Sequence, residues 1–180
     1  VAFDVGRDRD GLCQPCTMKF RMGGDGTPAL MADGLDAARS RVTERFLAAR
    51  DAGRIDFPHK NSVMFYEYAH EGALHFNATR IHRFSGLSSW ELSEAECEGR
   101  RQVKVLADWL RAEIPEFRGA FIAAIGPQIG VRETRRIRAR YRISGEDIRS
   151  GARFGDGIMR SGYFIDIHSP TGADRPTGSG

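Results

Sequence analysis

The chain has 180 residues, with 27 Lys+Arg against 24 Asp+Glu, 41% hydrophobic and 9% aromatic residues, and a mean hydropathy of −0.42. That length and apolar fraction suit one folded domain of ordinary size and argue against disorder. No apolar run approaches the ~18–20 residues of a membrane span, and a net charge of +3 does not by itself call for nucleic acid.

In chain order, residues 1–11 are polar and rich in Asp, Gly and Arg, and read as a linker or incoming loop. From Leu12 to Met22 the pattern is that of a strand, with Met18, Phe20 and Met22 alternating against Thr17, Lys19 and Arg21. Gly23, Gly24, Gly26 and Pro28 break it. Asp33 reads as a helix N-cap, followed by Leu35, Ala38, Val42, Phe46 and Ala49 at helical spacing and a stop at Gly53. Ser62–Tyr68 and Ala73–Ile81 read as an antiparallel hairpin turning at His70-Glu71-Gly72. Ser93 and Glu96 have capping-box spacing, and Val103, Leu106, Leu110 and Ile114 mark the buried face of a long helix ending at Pro115. Gly119–Ile125 reads as a short apolar strand. Arg136–Ile143 alternates strictly, with Ile137, Ala139, Tyr141 and Ile143 on one face and arginines on the other. Ser144 and Asp147 form a second capping box, opening a short helix, and Tyr163–His168 reads as a last strand. About six strands and three helices without βαβ alternation predict an α+β fold, a mostly antiparallel sheet with helices covering one face.

Several clusters carry possible chemistry. Cys13-Gln-Pro-Cys16 has the spacing of a thiol redox pair, but it precedes a strand pattern, so the first thiolate would lack the helix N-terminus that activates it. No C-x-x-C or H-x₃₋₅-H spacing completes a metal site, and three cysteines are too few for a disulfide scaffold, so a reducing, cytoplasmic setting is expected. The chain has 24 Arg and 3 Lys, and its positive excess sits in residues 130–153, which hold eight Arg and three acids. Same-face arginines on a strand repel by only about 0.6 kcal/mol per pair in water. No aromatic interleaves with them, which argues against a nucleic-acid surface and for a solvated or acid-paired face. The turn Gly126-Pro-Gln-Ile-Gly-Val-Arg-Glu-Thr-Arg-Arg136 allows backbone to approach a ligand closely. Arg132 stands at its lip, able to clamp a carboxylate or phosphate, with Glu133 placed to orient it; an ordinary loop with a structural ion pair fits equally. His75 and Asn77 share a strand face, as do Asp166 and His168, an arrangement open to a general base with its orienter or to a surface pair.

Leu12-Cys-Gln-Pro-Cys-Thr-Met-Lys-Phe-Arg-Met22, His75-Phe-Asn-Ala-Thr-Arg80, the 126–136 turn and Gly162-Tyr-Phe-Ile-Asp-Ile-His-Ser-Pro170 occur in that order. Together they resemble the middle region of a bacterial FAD-dependent oxidoreductase family, distantly similar in fold to the fumarate reductase flavoproteins. Cys16 stands where members of that family typically have Met. The resemblance implies a substrate-side cap domain over residues 12–168, with residues 169–180 leading toward an FAD-binding region outside this sequence. No G-x-G-x-x-G occurs here, so FAD would be held mainly by that region of the same protein, and the fragment alone would be inactive. By the same resemblance, Arg132 would clamp an anionic small-molecule substrate or stabilise reduced flavin, and Arg136 would be a supporting cation. His168 would be the acid/base with Asp166 setting its tautomer, Asn77 and Gln14 would bind substrate, and Gly130, Val131 and Arg132 would approach the cofactor. A stand-alone module binding a polyanion through residues 130–153, and a thiol redox protein, are the competing readings.

Overall fold

The computed structural model describes residues 1–58, 61–69 and 72–172. Among these lie six strands, β1 (Phe3–Val5), β2 (Phe20–Gly23), β3 (Phe65–Glu67), β4 (Ala73–Phe76), β5 (Phe121–Ile125) and β6 (Arg135–Ile137). They are joined by four α-helices, α1 (Thr27–Leu30), α2 (Leu35–Asp51), α3 (Ser89–Glu113) and α4 (Gly145–Ser150), and a 3₁₀ turn at Pro115–Phe117. The strands form a four-stranded sheet ordered β3–β4–β2–β5 and a two-stranded sheet of β1 with β6, every pairing antiparallel. The fold is α+β, as the sequence predicts.

The alternation around β2 fixes which face is inside. Met18, Phe20 and Met22 are all at most 1% exposed, and the register sets Phe20 opposite Phe76, whose rings stack with centroids 4.7 Å apart. Against them pack the predicted helix faces: Ala38, Val42, Phe46 and Ala49 of α2, and Val103, Leu106 and Leu110 of α3, all buried. Gly99 permits the close approach of α3 to the sheet, since a Cβ there would stand 2.9 Å from Met18 Cβ. Phe46 meets Phe57 and Trp109 edge-on, each with centroids 5.6 Å apart.

The element boundaries differ from expectation in instructive ways. Gly34, not Asp33, caps α2, and the Asp33 carboxylate instead pairs with Arg41 at 3.2 Å. α3 starts before Ser93: Ser88 holds extended angles and its Oγ accepts the Glu91 amide, while Ser93 lies inside the helix and donates to Ser89 O at 2.9 Å. The hairpin strands are shorter than expected, and His70 and Glu71 of its turn lie outside the described residues, as do 173–180 of the C-terminal segment. The strand expected over Arg136–Ile143 ends at Ile137, and Tyr163–His168 is not a strand; neither stretch finds a further partner strand among the described residues. Residues 1–11, read as a linker, contain β1, which is held to β6 by Phe3–Ile137 and Val5–Arg135 register. The Ser144–Asp147 capping box is present, closed at the other end by Gly151 with φ +63°.

Phe46 is fully buried between two edge-on rings. Phe46→Ala is therefore expected to lower unfolding free energy by about 3–5 kcal/mol, read by urea denaturation.

Candidate functional site

A cleft of about 890 Å³ opens between the N-terminal turn, the 132–136 segment and residues 167–171. Gln14, Arg132, Arg136 and His168, singled out separately in the sequence, all line it. The turn that brings the N-terminus there needs glycine: Gly6 has φ +62°, and a Cβ would lie 2.0 Å from Gly11 O. Arg7 grips Asp10 with three hydrogen bonds of 2.6, 2.7 and 3.0 Å, closing the turn.

Thr17 and Gly130 fix the opposite wall. Thr17 N donates to Gly130 O at 3.0 Å and Gly130 N donates back to Thr17 O at 2.8 Å. Both polar groups of Gly130 are therefore engaged within the fold, while Val131 beside it is 39% exposed. Arg132 leans back so that Nη2 donates to Thr17 Oγ1 at 3.4 Å, and it has no carboxylate partner among the described residues. Glu133 does not orient Arg132, as its position in sequence suggested. Its carboxylate accepts the Gln14 amide at 2.9 Å and pairs with Arg136 Nη1 at 3.2 Å. Arg136 also donates to Gly6 O, so it is a structural cation shared between the two walls. Arg135 lies over the Phe3 ring at 5.2 Å and, like Arg132, has no carboxylate partner among the described residues.

The third wall is held by side chains from elsewhere in the fold. Gln14 Oε1 accepts the His168 amide at 3.1 Å, Arg80 Nη2 lies 3.2 Å from His168 Nδ1, and His82 Nδ1 lies 3.1 Å from Pro170 O. His168 Nε2 stands 3.3 Å from Asp166 Oδ1, so the sequence pair is in contact even without a strand. Arg80 is only 7% exposed, and its backbone N–H and C=O are bracketed by the buried Gln102 amide at 2.8 and 3.0 Å. Nothing in the local sequence marked Arg80 for the site; only the tertiary crossing of residues 80 and 168 reveals it. Asn77 is half-buried after β4, where its amide donates to Met64 O at 2.9 Å, and it does not line the cleft.

Half of the basic segment is paired with acids, Arg136, Arg138, Arg142 and Arg149 among the eight arginines of residues 130–153. Arg138 and Arg142 both reach Asp4, at 2.6 and 2.9 Å, and hold its carboxyl below the ordinary carboxylate range. Arg149 pairs with Glu146 at 3.1 Å. Among the described residues no group of acidic, histidine and cysteine side chains could hold a metal ion.

A model of the family described as FAD dependent oxidoreductase matches residues 1–179. The chain belongs to the FAD-dependent oxidoreductase family. No curated protein and no solved structure matches it. FAD dependence brings a question of fit. Arginines without carboxylate partners and the Gln14–His168 wall suit an anionic group or the polar edge of a flavin ring. The pyrophosphate is less well served: every strand pairing among the described residues is antiparallel, so no parallel strand–turn–helix turns its amides toward phosphate. Among the described residues, no helix is long and apolar enough to cross a membrane.

Cys13 and Cys16 are buried, and burial pushes both thiols upward from the ordinary range, away from thiolate. Cys97 is exposed. In the native protein a thiol-specific reagent is expected to label Cys97 rapidly and Cys13 and Cys16 only on denaturation. Rapid labelling of all three would restore the redox reading of the pair.

Proposed function

We propose that this chain forms the substrate-side domain of an FAD-dependent oxidoreductase, covering the flavin while a hydride passes between it and a small anionic substrate. The observation that carries the reading is convergence: Gln14, Arg132, Arg136 and His168 come from three distant stretches of sequence and line one cleft. When bound, the flavin supplies the electron chemistry. The chain's own residues supply charge, orientation and proton handling.

Arg132 is the clamp. Arg132 is exposed and always charged, and its one side-chain hydrogen bond among the described residues, to Thr17, is long enough to be exchanged for a carboxylate or phosphate oxygen. Arg135 adds a second positive charge at the same wall. Arg136 supports the wall through Glu133 and Gly6. His168 lines the cleft and, with Asp166 against its Nε2 beside the lining, forms the proton-handling pair, and Gln14 holds the backbone of His168 in place.

Residues 137–164 supply the docking face for the FAD-binding region of the same protein. Ile137, Tyr141, Ile143, Ile158, Tyr163 and Phe164 are each more than half exposed, a concentration of large apolar side chains that suits a covering partner. Arg140, Arg153 and Arg160 lie along it without a carboxylate partner among the described residues, which suits an acidic rim on what covers it. The segment also runs directly into both ends of the cleft, through Arg136 and Ile167, so whatever covers it adjoins the cleft.

In the flavin-loaded, full-length protein, Arg132→Ala is expected to lower kcat/KM by about 10²-fold or more while visible flavin absorbance is retained. Turnover at the wild-type level would remove Arg132 from the site.

A further inference from the structure

We infer that Arg80 is a positioning residue that holds His168 as its neutral Nε2–H tautomer, so that the ring orients the Asp166 carboxylate as a fixed hydrogen-bond donor and does not itself take the substrate's proton. The inference rests on the reading of Asp166 and His168 as the proton-handling pair and sharpens which of the two does what.

The chemistry follows from a single contact. A guanidinium carries donors and no acceptor, and it stays charged throughout the range in which proteins fold. At 3.2 Å from His168 Nδ1, Arg80 Nη2 can only donate, so Nδ1 presents its lone pair. A neutral imidazole has one proton, and it must then sit on Nε2, where Asp166 Oδ1 accepts it at 3.3 Å. Both ring nitrogens are committed. For the ring to receive a proton at Nδ1 the Arg80 contact has to break, and at Nε2 there is no lone pair to receive one.

The fold gives Arg80 little freedom to release that contact. Its residue is 7% exposed, its main chain is gripped on both sides by Gln102, and Gln102 Nε2 donates in turn to Glu98 Oε1 at 2.8 Å. The histidine is fixed from its own side as well. Gln14 accepts its amide, and the Pro170 carbonyl two residues on is held against His82. This clamp at 168–170 follows an exposed stretch from 151 to 164, so it is the first firm anchorage after α4. Arg80 thus reverses the roles the sequence suggested: the ring orients the carboxylate, and Asp166 is the group of the pair with unfilled acceptor capacity.

The test is long-range ¹⁵N–¹H NMR of the histidine ring nitrogens in the intact protein at neutral pH. His168 is expected to show a lone-pair Nδ1 and a protonated Nε2. Arg80→Met should abolish that signature and Arg80→Lys, which keeps a cationic donor, should restore it. A proton on Nδ1 in the wild type, or an unchanged signature in Arg80→Met, would overturn the inference, and the wild-type spectrum alone can do so if a variant fails to fold. In turnover of the flavin-loaded protein, His168→Gln keeps a donor near the Nε2 position and is expected to lose about tenfold in kcat. A loss of 10²–10⁴ would mean that the ring moves the proton, overturning the inference. Turnover indifferent even to His168→Ala, with the wild-type tautomer as stated, would instead sink the site reading and leave the role of Arg80 standing.

Discussion

Glu133 brings one carboxylate, only 12% exposed, between two segments that lie 119 residues apart in the chain. It accepts the Gln14 amide on one side and the Arg136 guanidinium on the other, and Arg136 continues to Gly6. The cleft depends on this arrangement. Without an acceptor at that point, the Gln14 N–H would be left unpaired in a part-buried setting and the N-terminal turn would lose its tie to the 132–136 wall. Gln14 in turn holds the His168 amide, so the third wall depends indirectly on the same carboxylate.

Two physically different halves meet at this cleft. One half is built on Met18, Phe20, Phe46, Phe76 and Leu106, all buried at 1% exposure or less in one continuous core. The other half, from Ile137 to Phe164, keeps β1 and β6 together mainly through edge pairing and the Asp4 ion pairs, and turns its large apolar side chains outward. The buried half supplies Arg80 and Thr17 as fixed points, and Arg132 and His168 stand on the cleft walls at either end of the open stretch. That division suits a site completed by a neighbouring body, because the rigid groups set geometry while the open surface remains for docking.

The core was legible in the sequence because it obeys simple periods. Ala38, Val42, Phe46 and Ala49 follow the helical repeat and Met18, Phe20 and Met22 the strand repeat, and both sets are buried. The same rule misled at Ile137, Tyr141 and Ile143, where a period of two called for a strand but no neighbouring strand pairs with the chain beyond Ile137 among the described residues. Alternation shows that one face is apolar; it does not show what covers it. At Ser93 the capping spacing was real but upstream Ser88 also had cap geometry, and Trp90, Glu91 and Leu92 let the helix begin sooner. The residues of the cleft were individually visible as charged or hydrogen-bonding side chains near turns. Their convergence depends on contacts 88 to 154 residues apart, Arg80 with His168, Glu133 with Gln14 and Gln14 with His168, and these leave no local signal.

The most direct test is a crystal structure of the flavin-loaded, full-length protein. If these residues form the flavin's substrate-side wall, the isoalloxazine ring will face Arg132 and His168, and Tyr141 and Ile143 will be covered by the region that binds the dinucleotide. A flavin bound elsewhere, with the arginine cleft open to solvent and those side chains still bare, would contradict it.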